Sequence, residues 1–289
     1  MSGKTPIVYL DGCFLPLDQA RVSVMDRGFL FGDGIYEMMP VYGDWVFRLD
    51  EHLARLARSL EAIEIPDPYN TGEWKSVVRD LLEKNPAAGD RSVYIEVTRG
   101  AGDRNHIYES TEHVPTVFML CRPLVARDYS GGVGAITHPD IRWDYCHIKA
   151  ISLLPAVMLK QRARKAGCLE AILIRNGEVT EGAASNVFIV RDDRVMTPPR
   201  GNELLHGITR ELVVELLTGV GMCCEETRIN EQELHGADEI WITSSTMEVV
   251  PVVTLDGKKV GEGTPGPQWR HARELYDAFK RKAPVSGVN

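Results

Sequence analysis

Two side chains near the middle of the chain could together perform the chemistry of an aldehyde cofactor. Lys149 stands among the apolar residues Ile148, Ala150 and Ile151. These neighbours favour a partly desolvated amine, and only an unprotonated amine adds to an aldehyde to form an imine. Further along the chain, Glu181 offers a carboxylate that could keep a pyridine nitrogen protonated, so that the ring withdraws electrons. An imine-forming lysine and a ring-protonating carboxylate are the two groups that pyridoxal phosphate chemistry requires.

Other residues could hold a phosphate group, which needs cations and N–H or O–H donors. Ile208 and Thr209 follow a glycine at the start of a predicted helix, where free N–H groups and the helix dipole favour an anion. Ser245 lies in a hydroxyl-rich run after a predicted strand, and Arg55 lies on a predicted helix, off its leucine stripe. Taken alone, Ser245 is typical of an ordinary turn and Arg55 of an exposed helix face, so the pattern does not by itself assign these two residues to a phosphate.

The hydrophobic pattern predicts an α+β chain. In the first part of the chain it indicates helices at 51–63, capped by Asp50, and at 71–84, with strands at 7–10, 13–15, 34–41, 45–48, 92–98 and 115–121. Later strands are predicted at 133–137, 169–175, 178–180, 186–191, 194–197, 223–228 and 238–243. Later helices are predicted from Ser152 and Pro155 to about 166, and at 208–219, 231–236 and 267–281. We expect a small domain over 1–121, a connection over 122–132 and a larger domain over 133–289.

The composition narrows the function classes. A net charge of −8 argues against a nucleic-acid partner. No apolar run approaches the ~20 residues that cross a bilayer, and the first residues lack the apolar core of a signal peptide, so we expect no membrane association and a cytoplasmic location. The six cysteines form no C-x-x-C pair and no cluster with histidine, so we assign them no role and expect no metal site.

With these residues in place, the chain resembles the branched-chain/D-amino-acid aminotransferases, the class IV family of pyridoxal-phosphate enzymes. The resemblance covers nearly the whole chain and is carried by Asp26-Arg27-Gly28-Phe29-Leu30-Phe31-Gly32-Asp33-Gly34-Ile35-Tyr36-Glu37, Glu51-His52-Leu53-Ala54-Arg55-Leu56, Ile148-Lys149, Glu181-Gly182 with Asn186-Val187-Phe188, and Gly207-Ile208-Thr209-Arg210. It implies a two-domain α+β fold, with a small N-terminal α/β domain and a larger C-terminal, β-barrel-like domain with helices.

The resemblance also implies roles for the candidate residues. Lys149 matches the lysine that carries pyridoxal 5'-phosphate and then moves a proton between the substrate Cα and the cofactor C4′. Glu181 matches the partner of the pyridinium nitrogen, and Leu205 matches an apolar side chain packed against the ring. The phosphate contacts would come from Arg55, Ile208, Thr209 and Ser245.

Three further residues bear on the substrate. Arg104 and His106 form an Arg-x-His motif that, in the D-amino-acid aminotransferases, binds the substrate α-carboxylate together with a tyrosine, here Tyr36. The resemblance implies that Arg104 and His106 reach into the site of the neighbouring subunit, so a homodimer with active sites at the subunit interface is expected. This loop and the residues that follow Tyr36 favour the D-specific group over the branched-chain group.

Four residues depart from the usual D-amino-acid pattern. His147 stands where aspartate is more typical, His206 stands where lysine is frequent, and Ala183 and Ala184 replace hydroxyl residues. None of them removes a group that the mechanism needs. They bear on substrate preference and cofactor affinity.

The expected activity is transfer of the amino group of a D-amino acid, of D-alanine type, to a 2-oxo acid such as 2-oxoglutarate. Three alternatives exist within the family: a branched-chain L-amino-acid aminotransferase, an (R)-selective amine transaminase and a 4-amino-4-deoxychorismate lyase. A fourth alternative is a non-catalytic dimeric binding protein.

Overall fold

The described chain divides into two compact units. The computed structural model describes residues 5–108, 114–125 and 127–282. As far as their residues are described, the first unit comprises Met1–Val125 and Ile148–Ser152, and the second comprises Ala126–His147 and Leu153–Ala283. The change of unit after Val125 falls inside the predicted connection 122–132. Lys149, which we expected in the C-terminal domain, belongs to the first unit. The sequence did not predict this position, because so short an inserted segment has no compositional signal of its own.

The first unit is built on an antiparallel sheet with the strand order β2-β1-β6-β5-β3-β4. Its elements are β1 Ile7–Leu10, β2 Cys13–Pro16, α1 Arg27–Phe31, β3 Gly34–Tyr42, β4 Trp45–Val46, α2 Leu49–Ala62, α3 Thr71–Lys84, β5 Arg91–Thr98 and β6 Thr116–Pro123. Leucines on one face of α2 and apolar residues of α3 are buried in the same core as β3 and β5. This packing fixes α2 against the strand that carries Tyr36.

The start of α2 differs from the sequence expectation. The residue before the helix is Arg48, in the left-handed region at φ 54°, and the helix begins at Leu49. Asp50, predicted as the cap, therefore lies in the first turn, where an acidic side chain stabilises the helix through its dipole.

The second unit contains a mixed sheet with the order β12-β11-β10-β13-β14-β7-β8-β9, and β15 pairs with β14. Its elements are β7 Val133–Pro139, α4 Leu154–Lys165, β8 Glu170–Arg175, β9 Glu178–Gly182, β10 Asn186–Arg191, β11 Arg194–Thr197, α5 Ile208–Gly219, β12 Cys224–Glu226, α6 Glu231–His235, β13 Glu239–Ser244, β14 Glu248–Leu255, β15 Lys258–Lys259 and α7 Pro267–Arg281. Parallel neighbours need a crossover. Helix α4 supplies it between β7 and β8, and α5 supplies it between β11 and β12.

This sheet curls on itself. Strands β9 and β10 are five positions apart in the strand order, about 24 Å in a flat sheet. Only residues 183–185 connect them, a link that spans at most about 14 Å. A sheet that brings both strands within reach of this link must bend strongly, which agrees with the barrel-like domain that the resemblance implies. The bend places the end of β9, which carries Glu181, beside the start of β10.

Helix α4 begins, and strand β14 appears, where the sequence pattern did not predict them. Ser152 donates to the Gly32 carbonyl at 3.0 Å and does not start α4, which begins at Leu154. Strand β14 was missed because Pro251 argues against a central strand. Its pairing with β7 begins only at Val252, so the missing N–H of the proline is tolerated. No helix within the described ranges is long and apolar enough to cross a membrane.

Candidate active site

Lys149 lies on the extended segment Ile148–Ser152, beside the start of β3. Ala150 forms a β-bridge with this strand, and the Tyr36 N–H donates to the Lys149 carbonyl at 2.9 Å. Ile148 and Ala150 pack on the core of the first unit, so the lysine side chain between them points the other way. The Lys149 Nζ lies 4.1 Å from the centre of the Tyr36 ring. The structure therefore brings the predicted imine-forming amine next to the predicted carboxylate-binding phenol.

Arg55 is buried on α2 and is held by Glu37 of β3. Its Nε donates to Glu37 Oε1 at 2.7 Å and its Nη2 donates to Oε2 at 2.9 Å, while His52 Nδ1 lies 2.7 Å from Oε2. One turn beyond Arg55, the Ser59 hydroxyl accepts from the Lys149 N–H at 3.3 Å. Helix α2 thus contacts the lysine segment and carries the predicted phosphate arginine in a fixed orientation.

The surroundings of Glu37 and His52 lower the pKa of both groups. Burial alone would raise the pKa of Glu37, but the bidentate Arg55 and the bonded His52 hold it well below its usual range. Burial lowers the pKa of His52, so its imidazole is neutral near pH 7. Glu37 and Arg55 therefore form an ion pair with a neutral histidine beside it. Sequence reasoning predicted Arg55 and missed Glu37, which binds both Arg55 and His52.

Arg104 and His106 are exposed residues of the loop after β5. The Arg104 guanidinium lies 5.4 Å from the centre of the Phe31 ring, and the His106 ring lies 5.4 Å from the same ring. In the described part of this chain, their side chains contact Phe31 and not Tyr36. The structure brings Arg104 and His106 together but does not assemble the predicted carboxylate-binding trio within one chain.

Glu181 is buried at the end of β9 and surrounded by donors. Its Oε2 accepts from Asn186 Nδ2 at 3.0 Å and from the Leu205 N–H at 3.1 Å, and its Oε1 accepts from Arg142 Nη1. Burial raises the pKa of Glu181 to about 7, although Arg142 and the Leu205 N–H act in the opposite direction. Because a carboxylate has about four acceptor positions, the three donors leave room for one more. Two of the predicted site residues, Glu181 and Leu205, are therefore joined by a hydrogen bond from the Leu205 backbone N–H to the Glu181 carboxylate.

Arg142 belongs to an ion-pair network that sequence reasoning missed. Its Nε and Nη2 each lie 2.9 Å from a carboxylate oxygen of Asp140, and Arg175 reaches the same carboxylate at 3.0 Å. Thr180 also donates to Asp140, at 3.0 Å. Asp140 thus holds Arg142 against Glu181. These contacts join residues far apart in the sequence, and no local spacing marks them.

The start of α5 approaches β10 closely. Its first residues, Ile208 and Thr209, are buried and follow Gly207, where an added Cβ would meet Asn186 Oδ1 at 1.9 Å. Across the sheet from Asn186 lies Thr243, whose buried hydroxyl has no hydrogen-bond partner among the described residues. Ser245 lies half-buried in the turn between β13 and β14. A glycine-led helix start and an unpartnered buried hydroxyl suit the binding of an anion.

The four departures from the family pattern have clear positions. The rings of His147 and His206 lie 6.4 Å apart, so two of the replaced residues face each other. Ala183 packs in an apolar cluster with Leu159 of α4, and Ala184 is exposed. Alanine at 183 therefore fits an apolar environment.

Comparison with known proteins decides the family. Residues 34–255 match the family model described as amino-transferase class IV. The chain belongs to this family. Over 263 residues it is 41% identical to the D-alanine aminotransferase of Bacillus licheniformis, covering 90% of this chain and 92% of that protein. The class IV resemblance seen in the sequence motifs is thereby confirmed, and the protein is an aminotransferase.

Solved class IV structures confirm the fold. The branched-chain aminotransferase of Thermoproteus uzoniensis with norvaline has a TM-score of 0.90 at 26% identity, covering 98% of this chain and 99% of that chain. The PLP-form (holo-form) of the branched-chain amino acid aminotransferase from Thermobaculum terrenum has a TM-score of 0.85 at 24% identity, covering 96% and 94%.

Proposed function

We propose that this class IV enzyme transfers the amino group of a D-amino acid, of D-alanine type, to a 2-oxo acid such as 2-oxoglutarate, with pyridoxal 5'-phosphate as cofactor. The observation that carries the proposal is the position of the Lys149 amine, 4.1 Å from the ring of Tyr36. A proton-transferring amine beside a residue that binds the substrate carboxylate is what reaction at an amino-acid Cα needs. The 41% identity to a D-alanine aminotransferase supports the substrate class.

The donor set fits pyridoxal phosphate. Lys149 would carry it, the fourth acceptor position of Glu181 would take the ring N–H, and Leu205 would pack against the ring. The phosphate would be held by Arg55, Ile208, Thr209 and Ser245. The buried hydroxyl of Thr243 has no hydrogen-bond partner among the described residues, so this part of the second unit has a donor available for a ligand. When bound, the cofactor supplies a carbonyl carbon that accepts the amino group and a ring that withdraws electrons from Cα.

The chain's own residues would then position the substrate and move its proton. Tyr36, together with Arg104 and His106 of a neighbouring subunit, would hold the α-carboxylate, with the arginine donating two parallel bonds. Lys149 would remove the proton from the substrate Cα and deliver it to the position of the cofactor C4′. Because the carboxylate and the lysine are both fixed, the Cα–H bond of only one enantiomer can face the amine, which gives selectivity for that enantiomer.

The proposal includes a homodimer and a cytoplasmic location. Arg104 and His106 are exposed on their own chain and contact Phe31, which supports a role in the site of a second copy.

A side-by-side assay tests the substrate class. The purified enzyme, supplied with pyridoxal phosphate and 2-oxoglutarate, is given D-alanine, L-leucine or (R)-1-phenylethylamine at equal concentration. We expect D-alanine to react with the highest kcat/KM. Preference for L-leucine would contradict the proposal in favour of the branched-chain activity, which the names of the structural neighbours make the second candidate. Preference for (R)-1-phenylethylamine, which has no carboxylate, would show that the enzyme does not need to bind a substrate carboxylate and would favour the amine transaminase.

A further inference from the structure

A buried cluster of charges lies at the base of the loop that carries Arg104 and His106. Arg27 Nε donates to Asp33 Oδ2 at 2.8 Å, and Arg99 donates to both Asp33 oxygens, at 2.9 and 3.1 Å. Only 4% of Arg27 and 3% of Arg99 is exposed. Placing two guanidinium groups on one carboxylate away from water is costly. The family motif Asp26–Glu37 supplies two of these three residues, and the proposed reaction does not use them.

Arg27 connects this cluster directly to the predicted carboxylate-binding residues. Its Nη1 donates to the backbone carbonyl of Asn105 at 2.5 Å, and Asn105 stands between Arg104 and His106 in the chain. The Arg27 guanidinium also lies 4.8 Å from the centre of the Phe31 ring, the ring that Arg104 and His106 contact. One buried side chain therefore touches both the backbone of this pair and the ring on which the pair rests.

The same cluster contacts the described part of the loop on both sides of Arg104 and His106. Before them, the Arg27 N–H donates to the Gly100 carbonyl at 2.9 Å. After them, the Arg99 guanidinium lies 3.5 Å from the centre of the Tyr108 ring. Arg104 and His106 are exposed between these two contacts.

We propose that Arg27 is a positioning residue for recognition of the substrate carboxylate, acting through the Asn105 carbonyl and the Phe31 ring to fix Arg104 and His106. The proposal rests on the proposed function, in which these two residues bind the carboxylate. Arg27 itself touches no substrate. Bidentate binding tolerates little displacement, so a loose loop should weaken the binding of the carboxylate and leave the steps at Cα largely unchanged.

The test compares Arg27→Met with Arg91→Met in the holoenzyme. Arg91 is a matched control, because it is also 4% exposed and bonds to Asp44 and to the Leu82 carbonyl, away from the loop. For Arg27→Met we expect about a tenfold rise in the KM for D-alanine and in the Ki of propanoate, a carboxylate without an amino group, with kcat changed far less. Arg91→Met should lower thermal stability and leave both constants unchanged.

Two further variants make the test independent of the folding of Arg27→Met. Phe31→Leu removes the ring without touching the ion pairs and should raise the same two constants. In a background with both Arg104→Ala and His106→Ala, adding Arg27→Met should have no further effect on the Ki of propanoate, because Arg27 is proposed to act only through these two residues. Additive effects, or equal changes in Arg91→Met, would overturn the inference.

The same measurements separate this inference from the proposed function. If Arg104→Ala leaves the Ki of propanoate unchanged, the carboxylate assignment is wrong and the inference fails with it. If Arg104→Ala weakens propanoate binding while Arg27→Met and Phe31→Leu do not, the assignment stands and only the positioning role is refuted.

Discussion

The charge on Glu181 depends on a few named neighbours. Burial raises the pKa of this carboxyl to about 7, and Arg142 provides the cation that opposes the effect. Burial destabilises the carboxylate anion, so a further cation beside it stabilises it more than it would stabilise an exposed carboxylate. The protonated ring nitrogen is the cation proposed here. Arg142 is in turn bonded to Asp140. We therefore predict that activity is sensitive to Arg142, which lies outside the sequence motifs.

Replacement of Arg142 by glutamine tests this dependence. Without the guanidinium, the pKa of Glu181 should rise further above its ordinary value, and the carboxyl should be protonated in a larger fraction of molecules near pH 7. The free energy of unfolding should fall by about 3 kcal/mol, because one partner of a buried pair remains. We expect kcat/KM to fall below that of the unsubstituted enzyme, and to fall more steeply as the pH is lowered from 8.5 to 6.5.

Arg175→Gln is the matched control for this prediction. Arg175 bonds to the same aspartate as Arg142 and is paired with Asp144 in addition. The Arg175→Gln substitution should lower the free energy of unfolding, with little change in the shape of the pH profile of kcat/KM. Identical profiles for the two variants would show that Arg142 does not act through Glu181.

The sequence motifs predict the reacting groups and not the residues that contact them. Lys149 and Glu181 belong to motifs in which neighbouring residues carry information. Arg142 and Glu37 act on partners that the fold brings close, and a lone arginine or glutamate in a sequence has no distinguishing pattern. The signal that could have identified Glu37 is its place inside the Asp26–Glu37 motif, directly after Tyr36.

At the scale of elements, β3 and α2 are joined by buried ionisable groups, which makes their packing sensitive to pH. The pKa of His52 is lowered in the folded chain and that of Glu37 is lowered as well. Both groups therefore bind more protons in the unfolded chain. Their contribution to stability is complete above pH 6.5 and is lost as the pH falls, first through His52 below 6.5 and then through Glu37 below 4.5.

The cofactor-free enzyme should show this dependence in urea unfolding between pH 7.5 and 5. We expect the free energy of unfolding to decrease across this range, and to decrease less in His52→Asn, which has no imidazole to protonate. His235→Asn, at an exposed position on α6, serves as the control for loss of a histidine that is not bonded to Glu37. If the free energy of unfolding of His52→Asn decreased with falling pH as steeply as that of the unsubstituted chain, His52 would not be a source of the pH dependence.

The start of α5 offers a second prediction at this scale. In Gly207→Ala the new Cβ would lie 1.9 Å from Asn186 Oδ1, so the helix start or the asparagine must move. Asn186 bonds to Glu181 and to the Leu205 carbonyl, and the first N–H groups of the helix are proposed to hold the phosphate. We expect the dissociation constant for pyridoxal phosphate to rise on the order of tenfold, measured by titrating the cofactor-free enzyme and following absorbance.

Gly219→Ala is the control at the other end of the same helix. An added Cβ there meets nothing within 4 Å, so cofactor affinity should be unchanged. Equal affinity in Gly207→Ala and Gly219→Ala would mean that the helix start does not contribute to cofactor binding.

Most element positions could be predicted, and the exceptions have physical causes. The alternating and 3.6-residue patterns predicted α2, α3, α5 and α7 to within two residues. Strand β14 was missed because a proline normally excludes an inner strand, and α1 was missed because five residues in a glycine-rich motif are too few to show a period. The unit to which Lys149 belongs is decided by long-range pairing with β3, which no local pattern encodes.

For the whole molecule, the proposed function depends on where the cofactor is attached. Lys149, on the segment Ile148–Ser152 of the first unit, is the proposed point of attachment.

Reduction of the holoenzyme with borohydride, followed by mass spectrometry of its peptides, tests that claim most directly. Borohydride makes the bond between a lysine amine and the cofactor permanent. The account predicts one modified peptide, with the cofactor mass on Lys149, and none in Lys149→Ala. A modification on another lysine, or an unmodified Lys149 in enzyme that is active, would contradict it.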